Sequence, residues 1–181
     1  MAVYSHSLIL PEKEIDFLLD LLPISKKHTP DIYIFDRWQS IVSLAGKNSD
    51  ISSRYNLFKN IIRSSIFSSY NYKQSMIFIY LFNLPYQEPF LKKLHGVFCL
   101  FHEIRHHHQF ITEESHFLTS LSDQSLTDSS YSLTWVEKDA NKYAVKWMRR
   151  NRREINEKFQ LPTPQWDVGV NEKNKLRILT N

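Results

Sequence analysis

The sequence is poor in two residue types that many functional sites depend on. It has a single cysteine, Cys99, and only three glycines in 181 residues. One cysteine excludes an intramolecular disulfide framework and a zinc site built from cysteine pairs. So few glycines disfavour a glycine-rich phosphate-binding loop, and none of the nucleotide-binding fingerprints is present. No apolar run approaches the roughly 20 residues that span a bilayer.

The remaining composition is that of a folded protein. Hydrophobic residues make up 42% of the chain and aromatic residues 14%, which excludes an intrinsically disordered protein. The length predicts one domain, residues 1–181, with a substantial core. Residues 1–10 lack the charged start and sustained apolar core of a signal peptide. We therefore expect a cytoplasmic protein with no membrane partner.

The most informative stretch is the motif H-E-x-x-H formed by His102, Glu103 and His106. On a helix, positions four apart lie on one face, so the two imidazoles can converge on one metal ion. Glu103 sits beside them, where it can reach a water on that ion. The alternative is a solvated histidine-rich helix turn, because five of the eight residues in 102–109 are His or Glu.

The surroundings of the motif favour the metal interpretation. Apolar residues recur at helical spacing ahead of it, and Pro89 suits a first helical turn, which predicts a helix over 89–109. The apolar run 97–101 predicts that this helix is buried, as a rigid metal site requires. Cys99 lies in that run, which favours an unreactive buried thiol.

A third ligand is expected from a second helix, predicted over 135–148. Two acids lie near its start, Glu137 and Asp139. They are about 200° apart around a helix, so only one can point at a metal. Alternatively, both could simply favour the helix N-terminus through the macrodipole.

The two motifs together resemble a known family. H-E-I-R-H, followed some thirty residues later by E-K-D-A-N-K-Y-A, is similar to the gluzincin-type ImmA/IrrE-like zinc metallopeptidases. The resemblance implies one Zn²⁺ held by His102, His106 and Asp139, with Glu103 as the general base. The family usually has Glu where this chain has the shorter Asp139, which leaves Glu137 as the alternative ligand.

The same resemblance implies an α+β fold with a minimal zincin-like core. A small twisted sheet would pack on the metal helix and the following ligand helix, with residues 77–82 lining the substrate groove. Local patterns predict a helix over 11–22 and strands over 31–36, 40–45 and 74–82. Residues 56–67 are compatible with a helix or an irregular insertion. The polar segment 111–134 predicts a long loop, either a mobile surface loop or a lid.

Other histidines have weaker predictions. His95 lies two turns before His102 on roughly the same face, which predicts a core residue or one that supports the ligands. His107 and His108 are predicted at the surface. An additional donor to the developing oxyanion is expected near the site, and Tyr131, Tyr143 and His116 are the candidates.

From about residue 146 the chain carries a basic helical extension, followed after Pro164 by a tail predicted to be irregular apart from a short strand over 175–179. The net charge of +4 comes largely from this extension. A basic helix can attract nucleic acid, but it is more often a solvated face whose cations favour the helix C-terminus.

The function predicted from sequence is a zinc metallopeptidase acting on a peptide or protein substrate. Glu103 would take a proton from the activated water and deliver it to the leaving amine. Two alternatives stay open. One is a zincin-fold regulatory protein that acts through a protein partner. The other is a DNA-associated protease that resembles SprT-like proteins.

Overall fold

The computed structural model describes residues 2–5, 7–24, 29–44, 61, 66–122, 134–161 and 165–180. Within these ranges the chain has six helices, a mixed four-stranded sheet and a two-stranded antiparallel sheet, which confirms the predicted α+β class. The strands are β1 Val3–Ser5, β2 Asp31–Phe35, β3 Ser68–Asn71, β4 Met76–Tyr80, β5 Trp166–Val170 and β6 Leu176–Thr180. The helices are α1 Glu12–Asp20, α2 Trp38–Leu44, α3 Pro89–Thr112, α4 Glu114–Ser122, α5 Trp135–Arg150 and α6 Arg152–Phe159.

The larger sheet has the strand order β1-β2-β4-β3. Its first three strands are parallel, and β3 pairs antiparallel with β4 at the edge. Isoleucines alternate along β2 and β4, so one face of the sheet is apolar. Ile32 pairs with Ile77 and Ile34 with Ile79, and all four are fully buried in the main core. This face packs against α3, which places β3 beside the H-E-x-x-H motif.

Helix α3 is the buried helix that the apolar run predicted. Val97, Leu100 and Phe101 are fully buried, and α5 packs along its length. The predicted helices 89–109 and 135–148 are therefore confirmed, each slightly longer than expected. Among the helices in the described ranges, none combines the length and the apolar character that a membrane span requires.

Three local predictions were wrong. Residues 40–45 were predicted as a strand, but Trp38–Leu44 is α2, because a short apolar run does not distinguish strand from helix. The predicted loop 111–134 begins with α4 over Glu114–Ser122, and residues 123–133 lie outside the described ranges. The strand predicted over 175–179 is confirmed as β6, but the rest of the tail, predicted to be irregular, contains β5, since Trp166 and Val168 bury their side chains completely in the main core.

Three other predictions have different outcomes. The strand predicted over 74–82 is confirmed as β4. The open assignment of 56–67 lies outside the described residues, apart from residues 61, 66 and 67. The basic extension is helical up to Phe159. On its surface Arg149 pairs with Asp167 at 2.8 Å and Arg153 with Glu157 at 2.9 Å.

Gly96 is required where α3 crosses the core. A Cβ atom at this position would lie 2.5 Å from Leu10 Cδ1 and 2.8 Å from Leu81 Cδ2, and both leucines are buried. We expect Gly96→Val to lower the free energy of unfolding by about 1–3 kcal/mol through overpacking, as measured by urea denaturation. Gly169→Val is the matched control, because the nearest atom to its Cβ is Arg149 Nη2 at 3.9 Å. Equal stability of the two variants would contradict this packing.

Candidate metal centre

Three side chains from two helices converge at the inner surface of the cleft. His102 and His106 lie one turn apart on α3, and Glu137 projects from the first turn of α5. Glu137 Oε1 lies 3.1 Å from His106 Nε2, and Oε2 lies 3.5 Å from His102 Nε2. The three ligand atoms all lie within 4.8 Å of one another. His102, His106 and Glu137 could therefore hold a metal ion.

The structure places Glu137, and not the predicted ligand Asp139, beside the two histidines. Asp139 Oδ2 accepts hydrogen bonds from Arg105 Nε at 2.6 Å and from Gln109 Nε2 at 2.8 Å. Being two residues from Glu137, it lies about 200° further round the helix, on the side where Arg105 provides a counter-charge. The acid that faces the histidines is Glu137, the alternative that the sequence left open.

His102 is oriented by an amide relay that reaches the C-terminal hairpin. Its Nδ1 lies 2.8 Å from Asn141 Oδ1, while Asn141 Nδ2 donates to the carbonyl oxygen of Asn174 at 2.7 Å. The Asn141 side-chain nitrogen donates its hydrogen bond to the Asn174 carbonyl, so the side-chain oxygen of Asn141 must face the ring. Since that oxygen can only accept, Nδ1 of His102 carries the proton. The Nε2 lone pair is then available to a metal. Sequence reasoning missed this contribution of the β5–β6 turn.

His106 is oriented in the same way from the other side. Its Nδ1 lies 2.9 Å from Gln109 Oε1, and Gln109 Nε2 donates to the Val136 carbonyl at 3.1 Å and to Asp139. The proton of His106 is therefore also on Nδ1. Asp139 thus supports a ligand indirectly, through Gln109.

These two relays make the site suited to a cation. The Nε2 atoms of His102 and His106 are 2.9 Å apart, and both relays direct a lone pair at the space between them. Two lone pairs at this distance repel each other unless a proton or a cation lies between them. Two ligands about 2.0–2.1 Å from a tetrahedral zinc ion stand roughly 3.3 Å apart, close to this spacing.

The pKa values of His102 and His106 also indicate that a positive charge is favoured between the two rings. Burial and the neighbouring His106 lower the pKa of His102 to about 4. Burial also acts to lower the pKa of His106, but the hydrogen bond to Glu137 and the charges of Glu103 and Glu137 outweigh it and raise that pKa to about 9. The carboxylates therefore favour a positive charge between the rings.

Glu103 lies next to the three candidate ligands and is only 4% exposed. Its Oε1 accepts a hydrogen bond from Ser68 Oγ on β3 at 2.7 Å. Burial raises the pKa of Glu103 to about 7. A carboxyl group with a pKa near the working pH is suited to take up and release a proton.

The cleft around these residues has a volume of about 760 Å³. Its walls include β3 residues Ser68–Tyr70, Phe117 of α4, and residues 174–176 of the hairpin turn. The resemblance implied that residues 77–82 line the groove. In the structure β4 is an inner strand, and the edge strand β3 takes that position, because β3 inserts between β4 and the cleft.

Other predicted residues have mixed outcomes. His107 is buried rather than at the surface, with Nδ1 2.9 Å from the Tyr70 hydroxyl. Of the three oxyanion candidates, His116 stacks on Trp135 and Tyr143 packs against Arg105, and neither lines the cleft. Tyr131 lies outside the described residues. Tyr70 is a tyrosine that does line the cleft.

Comparisons of this chain with protein-family models, with curated proteins and with solved structures found no match. The resemblance to ImmA/IrrE-like metallopeptidases therefore depends on the motif residues alone and stays a prediction.

The Asn141 relay has a measurable consequence. Asn141→Ala removes the acceptor that fixes the His102 tautomer, so we expect zinc affinity to fall by about 10–100-fold. Competition with a chromophoric chelator measures this change. Asn151→Ala, at the far end of α5, is the matched control and should bind zinc as the unmutated protein does. Unchanged affinity in the Asn141 variant would contradict the proposed relay.

Proposed function

We propose that the protein is a zinc-dependent peptidase. The observation that carries the proposal is the convergence of His102, His106 and Glu137 beside the buried carboxyl of Glu103 in an open cleft. Imidazole nitrogens and a carboxylate oxygen are the ligands of catalytic zinc sites, which use three protein ligands and keep one position free. A buried acid next to that position provides the general base.

A zinc ion bound there would supply Lewis-acid activation of a water molecule and of a carbonyl oxygen. Glu103 accepts the proton of the attacking water and later donates it to the leaving amine. Ser68 holds Oε1 of Glu103, so the carboxyl group keeps one orientation through both transfers. Asn141 and Gln109 hold the Nδ1 atoms of the two histidines, so their Nε2 atoms would be available to the ion.

The proposal is tested by incubating the zinc-loaded protein with a mixed peptide library and identifying the products by mass spectrometry. We expect cleavage that stops on addition of a chelator and returns when zinc is restored. Cleavage that is indifferent to the chelator would contradict a metal-dependent reaction. A fully zinc-loaded protein that cleaves no peptide would contradict peptide hydrolysis.

The basic extension does not add a second candidate function. Two of its arginines, Arg149 and Arg153, form ion pairs with Asp167 and Glu157, and Arg150 lies over the ring of Trp147. These contacts are typical of a helix surface whose charged groups pair with side chains of the same protein. We therefore propose peptide hydrolysis and do not add nucleic-acid binding.

A further inference from the structure

One end of the cleft is an aromatic recess that the proposed hydrolytic step does not use. Its wall is formed by six residues that precede His102 in the sequence: Ile66, Phe67, Pro85, Tyr86, His95 and Phe98. The ring of His95 meets three of the others edge to face, with centroids 5.0 Å from Phe67, 5.6 Å from Tyr86 and 6.2 Å from Phe98. The recess is a preformed apolar surface that opens into the cleft.

His95 provides a polar ring inside this recess that is not satisfied. The residue is only 5% exposed, and its Nδ1 is buried without a hydrogen-bond partner in the part of the chain that the structure describes. Aromatic rings rather than hydrogen-bonding groups surround His95, so the recess is apolar even at its one polar ring.

The wall residues of the recess that the structure describes carry no charge at neutral pH. Burial lowers the pKa of His95 to about 4, so its imidazole is neutral at neutral pH. The other five wall residues have no charged group at that pH. A charged ligand group would lose its hydration water here without gaining a counter-charge, which is costly. An uncharged aromatic group does not have this desolvation cost.

The recess lies close to the candidate metal ligands. Phe98 joins the two, with its ring centroid 5.9 Å from that of His102. His95 precedes His102 by seven residues, which is about 10 Å along a helix. An extended peptide advances about 3.3 Å per residue, so a side chain in the recess belongs to a residue within about three positions of the bond at the metal centre.

We infer that this recess selects an aromatic side chain of the peptide substrate, close to the scissile bond. The inference rests on the proposed function, because it names the substrate class of the same cleft. Edge-to-face contacts with Phe67, Tyr86 and Phe98 add to the gain from burying a large aromatic group.

Binding can be measured without turnover on zinc-loaded Glu103→Gln protein. The probes are fluorescein-labelled alanine-based peptides in which Phe, Tyr, Lys or Glu replaces each position in turn, read by fluorescence anisotropy. We expect Phe or Tyr at one position to bind about tenfold more tightly than Ala, with no gain for Lys or Glu. Adding Tyr86→Ala should remove this preference. Adding Tyr4→Ala, the same change on an exposed tyrosine of β1, should keep it.

The outcomes separate this inference from the proposed function. Equal affinity across the whole peptide set, or a preference that survives Tyr86→Ala, would overturn the recess as an aromatic subsite. Aromatic-selective binding without cleavage by the unmutated protein would support the recess and count against peptide hydrolysis. Cleavage without aromatic preference would overturn the inference alone.

Discussion

Glu103→Gln should leave the protein folded and able to bind zinc, and lower the rate of peptide cleavage by about 10²–10⁴-fold. Glutamine keeps the shape of the side chain and its hydrogen bond with Ser68, but it cannot take a proton from water. The loss should therefore appear in kcat, while metal content by elemental analysis stays as in the unmutated protein.

The matched control is Glu88→Gln, the same substitution at an exposed position at the start of α3. It should change neither the cleavage rate nor the metal content. If Glu103→Gln cleaves peptides as fast as the control, then Glu103 is not the general base and the mechanism fails. If Glu103→Gln unfolds, its circular dichroism spectrum will differ from that of the control, and the rate comparison then uses Glu103→Asp, which keeps the carboxyl group but withdraws it by one methylene.

Glu137→Ala should weaken zinc binding by more than about 100-fold, because it removes one of three protein ligands and the charge that compensates the ion. Asp139→Ala should weaken it by no more than about tenfold. Asp139 contacts the site through Gln109, and Gln109 keeps its second bond to the Val136 carbonyl when the Asp139 carboxylate is removed. Chelator competition at one pH and ionic strength measures both affinities.

The two acids form their own matched pair, since the same truncation is made two residues apart on one helix. The variant that loses more zinc affinity identifies the acid that binds the metal. A larger loss in Asp139→Ala than in Glu137→Ala would restore the acid chosen from the family pattern and would mean that the Arg105–Asp139 ion pair breaks when metal binds.

Helix α3, which carries the H-E-x-x-H motif, was the part of the site that the sequence predicted best. The spacing of His102 and His106 specifies one face of a helix, and the apolar run before them specifies burial, so both follow from local periodicity alone. Glu103 followed from its position inside the motif. These three residues lie on one helix at fixed spacing, which is why sequence reasoning reached them.

The third ligand was harder because it depends on how two helices face each other. Glu137 and Asp139 differ by about 200° on α5, and sequence does not give the rotation of α5 about its axis. In the structure Asp139 pairs with Arg105, 34 positions away in the chain. The family pattern alone pointed to Asp139, whereas the acid beside the two histidines is Glu137.

The edge strand β3, the strand β5 and the contact of the C-terminal hairpin with the site were missed for a related reason. The strand β3 is Ser-Ser-Tyr-Asn, which has little of the apolar alternation that marks a strand, and pairing with β4 specifies it. The turn of β5–β6 reaches the site through the backbone carbonyl of Asn174, and a backbone contact leaves no signal in residue type.

The binding of one metal ion by His102, His106 and Glu137 is tested most directly by anomalous diffraction at the zinc absorption edge. Crystals of zinc-loaded protein should show one strong anomalous peak at about 2.0–2.2 Å from the Nε2 atoms of both histidines and from a carboxylate oxygen of Glu137. A peak bound by Asp139 instead of Glu137, or no peak at the histidines in protein saturated with zinc, would contradict the account.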